Sequence, residues 1–170
     1  MPQTLLAFCA VMLAAFFAFQ QQRSVVDTRM KMVQNEVETA ATGVAVDRLE
    51  EIGVMAYDEA TKSGGKIFSS ASLTAKGIFT VDAPPIDDVD DFDGSYVERF
   101  RVYSGDTLWY GVETGIQYAD EAQPDQEIVD PFLKTKFKKA TVRVYSLNVT
   151  EIDTISLSQS YSCGSKCDWP

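Results

Sequence analysis

A chain of 170 residues with 45% hydrophobic, 24% charged and 11% aromatic side chains suits one ordered domain with a core and excludes overall disorder. The 15 Lys plus Arg against 25 Asp plus Glu leave a net charge of −10, which excludes a nucleic-acid backbone as the main partner. There is no histidine, so His-based triads, His metal ligands and histidine pH switches are excluded together.

The chain begins with its most apolar stretch. Residues 4–19 (TLLAFCAVMLAAFFAF) hold no charge, no Pro and no Gly. As a helix they span roughly 24 Å, a little short of the ~30 Å hydrocarbon layer of a bilayer. Such a run fits a short membrane anchor, a signal-peptide core or a helix buried in protein. No basic residue precedes it, and the first ones, Arg23, Arg29 and Lys31, follow it. Taken alone, that asymmetry assigns the rest of the chain to the cytoplasm. The other end disagrees: Cys163 and Cys167 are spaced for a small disulfide loop, which persists in an oxidising compartment. A short basic leader, removed from in front of Met1, reconciles the two ends.

Beyond the apolar run, Val26, Met30, Val33, Val37, Ala40 or Ala41, and Val44 recur in steps of three and four, which is one helix face. Leu49, Ile52, Met55 and Ala56 extend the stripe, while Asp47, Arg48, Glu50, Glu51, Asp58 and Glu59 supply polar faces. No proline interrupts residues 3–83, and Ser63-Gly64-Gly65 is a strong stop. The pattern predicts one helix over residues 4–62, about 88 Å long at 1.5 Å per residue. No domain of this size encloses such a helix, so its first half is expected to project. Gly43 and Gly53 each cost about 1 kcal/mol against Ala inside it; they read as tolerated residues, bends or close-packing points.

From Lys66 onward the period shortens to two. Strands are predicted at 77–81, 96–103, 108–118, 140–147 and 154–162, with turns at Gly105-Asp106 and at 151–153 and an irregular segment at 119–139. In the last strand Ile155, Leu157 and Tyr161 share one face, and Ser156, Ser158 and Ser160 share the other. That is an antiparallel sheet packed on one side, with the second half of the long helix as its cover. The fold class is α+β.

Few residues suggest chemistry. Asp87, Asp88, Asp90, Asp91 and Asp93 crowd one short segment ending at Gly94 and are candidate Ca²⁺ ligands. Their spacing fails the EF-hand loop, because setting Gly94 at its glycine position puts Val89 where the first Asp belongs. A solvated acidic turn, with no cofactor, is the expected state. Cys9 reads as a small buried apolar residue, and Asn148-Val-Thr150 is a glycosylation triplet at a strand end. Trp109, Tyr110, Tyr118, Tyr145 and Tyr161 are expected in core and cross-strand packing. The basic cluster at 134–139 (KTKFKK), with Arg143, is either solvated or meets an acidic surface of another subunit. No phosphate loop, nucleophile elbow or activated cysteine is present, so no enzyme activity and no small-molecule substrate are expected.

This layout, a charge-free N-terminal helix with an amphipathic continuation and a small antiparallel β domain, resembles that of type IV pilins and their pseudopilin relatives. Gln3-Thr4-Leu5-Leu6 is similar to the start that follows the leader in some prepilin-like proteins. The acidic segment 87–94 resembles a glycine-ended motif before their strands. Val142, Val144, Asp153, Ile155, Leu157-Ser158 and Tyr161-Ser162 resemble their closing hairpin. Two departures stand out. The glutamate near the start of many mature pilin helices has no counterpart, since Leu5 stands there and the first acidic residue is Asp27. The helix-kinking proline is absent as well.

The resemblance implies three regions: an apolar assembly and membrane helix at 1–23, its amphipathic continuation at 24–63, and a β domain at 64–170. It implies a bacterial filament subunit, anchored in the inner membrane before assembly and then polymerised with copies of itself on the cell surface. The assembly helix would act through Leu5, Leu6, Phe8, Val11, Met12, Leu13, Phe16, Phe17 and Phe19. A pseudopilin of a secretion machine, or a monomeric membrane-anchored binding domain, are the alternatives.

Overall fold

The computed structural model describes residues 2–62, 66–79, 86–103, 105–128, 130, 133–149 and 153–169. The chain divides into two compact units, Met1–Glu38 and Thr39–Pro170. Helix α1 (Pro2–Gly53), 52 residues long, supplies the whole described part of the first unit and the opening of the second.

The second unit holds a short helix α2 (Glu59–Lys62) and four strands: β1 (Tyr96–Tyr103), β2 (Asp106–Ala119), β3 (Phe137–Ser146) and β4 (Ile155–Ser162). They form one antiparallel sheet in chain order, β1-β2-β3-β4. Period-two alternation sends Tyr110, Val112, Thr114, Ile116 and Tyr118 of β2, and Lys138, Ala140, Val142 and Val144 of β3, to the buried face. The register sets Val112 opposite Val144, Ile116 opposite Ala140 and Tyr118 opposite Lys138. Ala41, Val44, Ala45, Leu49 and Ile52 of α1 are buried over this face, each large one contributing about 1.5–3 kcal/mol. The helix-on-sheet contact also has polar fastenings. Arg48 donates through Nε to Thr114 Oγ1 (3.3 Å) and through Nη2 to Ser95 Oγ (3.0 Å), with its guanidinium 4.5 Å from the Phe92 ring centroid. Arg99 and Arg101 of edge strand β1 pair with Glu51 and Asp47.

The predicted single helix over 4–62 is corrected: α1 ends at Gly53, and the chain turns before α2. The reason is a competing partner. Ala56 forms a parallel bridge with Asp88, its N–H donating to the Asp87 carbonyl (3.3 Å) and its carbonyl accepting from Val89 N (2.9 Å). A Cβ at Gly53 would lie 3.1 Å from the Tyr161 ring, so this glycine is a close-packing point. Gly43 has nothing within 4 Å of such a Cβ and is not one. The stop signal at 63–65 lies outside the described residues.

The predicted strand at 77–81 is also corrected. Lys76–Ile78 is a 3-10 turn, leading to a buried Phe79 whose ring sits 5.5 Å from that of Tyr118, and residues 80 and 81 lie outside the described set. Strand β1 matches its predicted range, β2 is longer at both ends, and β3 begins earlier, at Phe137. Gly105, at φ 96°, takes the left-handed conformation that the β1–β2 turn needs. Residues 151 and 152 of the other predicted turn lie outside the described residues.

Candidate functional site

The first unit is distinguished by its surface. Phe8, Val11, Met12, Leu13, Phe16, Phe17 and Phe19 are each 59–68% exposed. At 100° per residue these side chains cover about two-thirds of the circumference of α1 and exposed Ala7, Ala10, Ala14 and Ala18 fill the rest, so no polar face is available to water. The sequence expectation of a small buried Cys9 differs from the isolated chain, where Cys9 is an exposed free thiol in the same apolar surface. The side chains of Leu5 and Leu6 lie outside the described residues. Among the described residues no helix is long and apolar enough to cross a membrane. Val25, Val26, Met30, Met32 and Val33 prolong the exposed apolar surface past the charge-free run.

The acidic segment does not form the expected solvated turn. Asp88, Asp90 and Asp91 are buried, because each finds local or distant donors. Asp88 Oδ1 accepts from the backbone N–H of Asp90 (3.0 Å) and Asp91 (3.2 Å), while Asp91 Oδ2 accepts from those of Asp87 and Asp88. Asp93 Oδ1 accepts from Ile116 N (2.7 Å), taking the place of a strand partner beyond the end of β1. Burial, and next the neighbouring Asp91, raise the pKa of Asp88 above the usual carboxylate range.

As candidate Ca²⁺ ligands these residues are dispersed. Among the described residues the one group of three acids whose oxygens lie within 4.8 Å of one another is Glu59, Asp87 and Asp88. Lys62 already pairs with both Glu59 and Asp87, and Asp88 Oδ1 is held by its two amides. This donor set suits the lysine ammonium, and none of the acids is assigned to a metal. Glu59 carries no sequence signal linking it to the segment; only the Ala56–Asp88 bridge brings the two together.

The lysines of the basic cluster likewise bond within the chain, while Arg143 is exposed. Lys134 donates to the carbonyls of Ala71 and Leu73, Lys136 to that of Trp169, and Lys139 to that of Asp125 (2.9 Å). Lys138, expected on the surface, is fully buried. Its Nζ donates to the Tyr57 carbonyl (2.8 Å), to Asp58 Oδ2 (3.1 Å) and to Asp90 Oδ1. Asp90 Oδ2 is buried with no hydrogen-bond partner among the described residues. Desolvation pushes the Asp90 carboxyl up to about 7, with Lys138 opposing the rise. Burial also raises the phenols of Tyr57 and Tyr118, which flank the cluster.

Cys163 and Cys167 form the expected disulfide, with Cα atoms 5.6 Å apart. The closed loop is fastened to the rest of the unit by Ile67, whose N–H donates to Lys166 O and whose carbonyl accepts from Asp168 N, both at 2.8 Å. Of the aromatics expected in packing, Tyr110 and Tyr118 are buried and Tyr161 donates to Leu49 O. Trp109 packs across the strands on its register partner Phe100, the tilted rings 5.4 Å apart, on the outer face where Trp109 is 40% exposed. On that outer face Tyr96, Glu113, Gln117, Glu127 and Arg143 border an open groove of about 410 Å³. Asn148 of the glycosylation triplet is exposed, its Oδ1 accepting from Trp109 N (2.7 Å), while Thr150 lies outside the described residues. No known protein family, no curated protein and no solved structure matches this chain.

Proposed function

We propose that this chain is the repeating structural subunit of a type IV pilus-like filament on the cell surface, held in the inner membrane before assembly. The observation that carries the reading is the apolar surface of residues 8–19, exposed on every side of α1 in the isolated chain. Leaving such side chains in water costs about 1.5–3 kcal/mol each for the Leu, Phe and Met positions. Two media relieve that cost, lipid and the same surface of other copies. A contact of one copy with the next that does not close into a ring generates a helical filament. The helices then pool their apolar surfaces, and the acidic β domain forms the outer shell. Assembly of this kind rests on apolar packing, since residues 4–19 carry no charge. The Cys163–Cys167 disulfide supports an oxidising, extracytoplasmic location. The chain acts as a building unit, with no catalytic role and no nucleic acid as its main partner.

Electron microscopy of material sheared from cells, with mass spectrometry of its N-terminal peptide, tests the reading. Filaments made of this chain are expected. Recovery solely from the envelope as short rods would favour a pseudopilin, and one chain per detergent micelle would overturn the filament in favour of a lone anchored domain.

A further inference from the structure

The Lys138 cluster holds more than an ion pair requires. The ammonium is fully buried, with ring centroids of Tyr57, Phe79 and Tyr118 at 4.4, 5.3 and 5.3 Å. Two buried carboxylates reach it from separate elements, Asp58 from the entry to α2 and Asp90 from the 3-10 turn Asp90–Phe92. One cation and two ionised acids leave a net negative charge in a dry interior, an expensive state. The unpartnered Asp90 Oδ2 is where a proton removes that charge. The result is an ammonium, a carboxylate and a neutral carboxylic acid in contact, walled from water by aromatic rings.

We propose that Lys138 and Asp90 become joined by an isopeptide bond between Nζ and Cγ, with Asp58 as the proton carrier. Asp58 Oδ2, 3.1 Å from Nζ, accepts one proton from the ammonium. The neutral amine attacks Cγ of the protonated Asp90 carboxyl and a C–N bond forms. The C–O bond to the protonated oxygen breaks, and that hydroxyl leaves as water with a second amine proton. Ammonium, carboxylate and carboxylic acid thus become a secondary amide, a carboxylic acid on Asp58 and one water, with atoms and charge balanced and no oxidant required. Holding amine and acid in contact gives effective concentrations of about 10⁵–10⁸ M in well-oriented cases. Exclusion of water by the rings disfavours the reverse hydrolysis. The bond ties β3 to the acidic segment across 48 residues of chain, independently of whether the subunit polymerises.

Intact-mass measurement of the full chain, after reduction of its disulfide, tests this. The folded protein is expected to be one water lighter than its sequence, and its digest to yield a branched peptide linking residues 90 and 138. Lys138→Arg and Asp58→Asn are expected to keep the full sequence mass, with folding checked by circular dichroism. A natively folded wild-type chain of full mass, with Lys138 free to react with an acylating reagent after denaturation, would overturn the proposal and leave a buried ion cluster. Loss of water in the Asp58→Asn chain would overturn the role of Asp58.

Discussion

Lys138 sets the energetic stakes at the level of single residues. Lys138→Met leaves Asp58 and Asp90 buried without a cation, and removal of one partner from such a cluster costs about 3–5 kcal/mol. A denaturant melt should show that loss as a lower midpoint. The pH dependence follows from Asp90 wherever it stays a free carboxyl, as in Asp58→Asn. With Asp58 present its folded-state value is about 7, above the ordinary 3.8. Asp58→Asn removes one raising charge but leaves burial, the largest cause, so the carboxyl stays raised and the folded chain still holds more protons than the unfolded one above about pH 4. The stability from this group is therefore full below about pH 4 and is lost as pH rises through that raised value. Melts of Asp58→Asn across that window should show the decline, and the double variant Asp58→Asn/Asp90→Asn should lack it. The two helix glycines separate in the same assay: Gly43→Ala, with open space around its Cβ, should stabilise by about 1 kcal/mol, and Gly53→Ala, against the Tyr161 ring, should not.

At the level of elements, the parts governed by local pattern were readable and the parts governed by distant partners were not. The central strands β2 and β3 follow directly from period-two burial, while the edge strands β1 and β4 are exposed along most of their length and alternate less regularly. The end of α1 was misread because apolar spacing continues through Met55 and Ala56, while the bridge that draws Ala56 away comes from Asp88. The start of β3 was missed for a related reason. A lysine pair reads as surface, and only the carboxylates of Asp58 and Asp90 make position 138 interior. The five aspartates misled in turn, since such runs are normally solvated, yet here backbone amides and two lysines take them up. Asp93 shows what that uptake is worth. Asp93→Ala strips Ile116 N–H of its acceptor and should cost about 1–3 kcal/mol in a thermal or denaturant melt.

For the whole molecule, the helical state of the charge-free run at residues 4–19 was the most legible feature, because such a run declares itself without reference to anything else in the chain. Its proposed role makes a clear demand. Phe16→Asp or Leu13→Asp adds a charge to a surface that must enter lipid or a helix core, at a cost of about 2.5–3.5 kcal/mol per residue in a membrane-spanning helix. Either variant should abolish filaments in sheared material while the circular dichroism of the β domain stays unchanged. Salt should dissociate the proposed polymer far less than detergent does, because the proposed contact is apolar and ions screen only charges. The net charge of −10 slightly overstates the acidity of the surface, since Asp58, Asp88, Asp90 and Asp91 are interior against the buried cations Arg48 and Lys138.

The meander order of the sheet carries a consequence in time. Every strand pairs with its neighbour in sequence, so each hairpin closes a modest loop and zips on the microsecond scale typical of isolated hairpins. The meeting of Tyr57, Asp58, Asp90 and Lys138 is different, because it waits until segments 80 and 48 residues from Lys138 have both arrived. Rapid zipping is thus followed by a slower rendezvous. A bond made there would act as a timestamp, marking those molecules that had reached the end of folding.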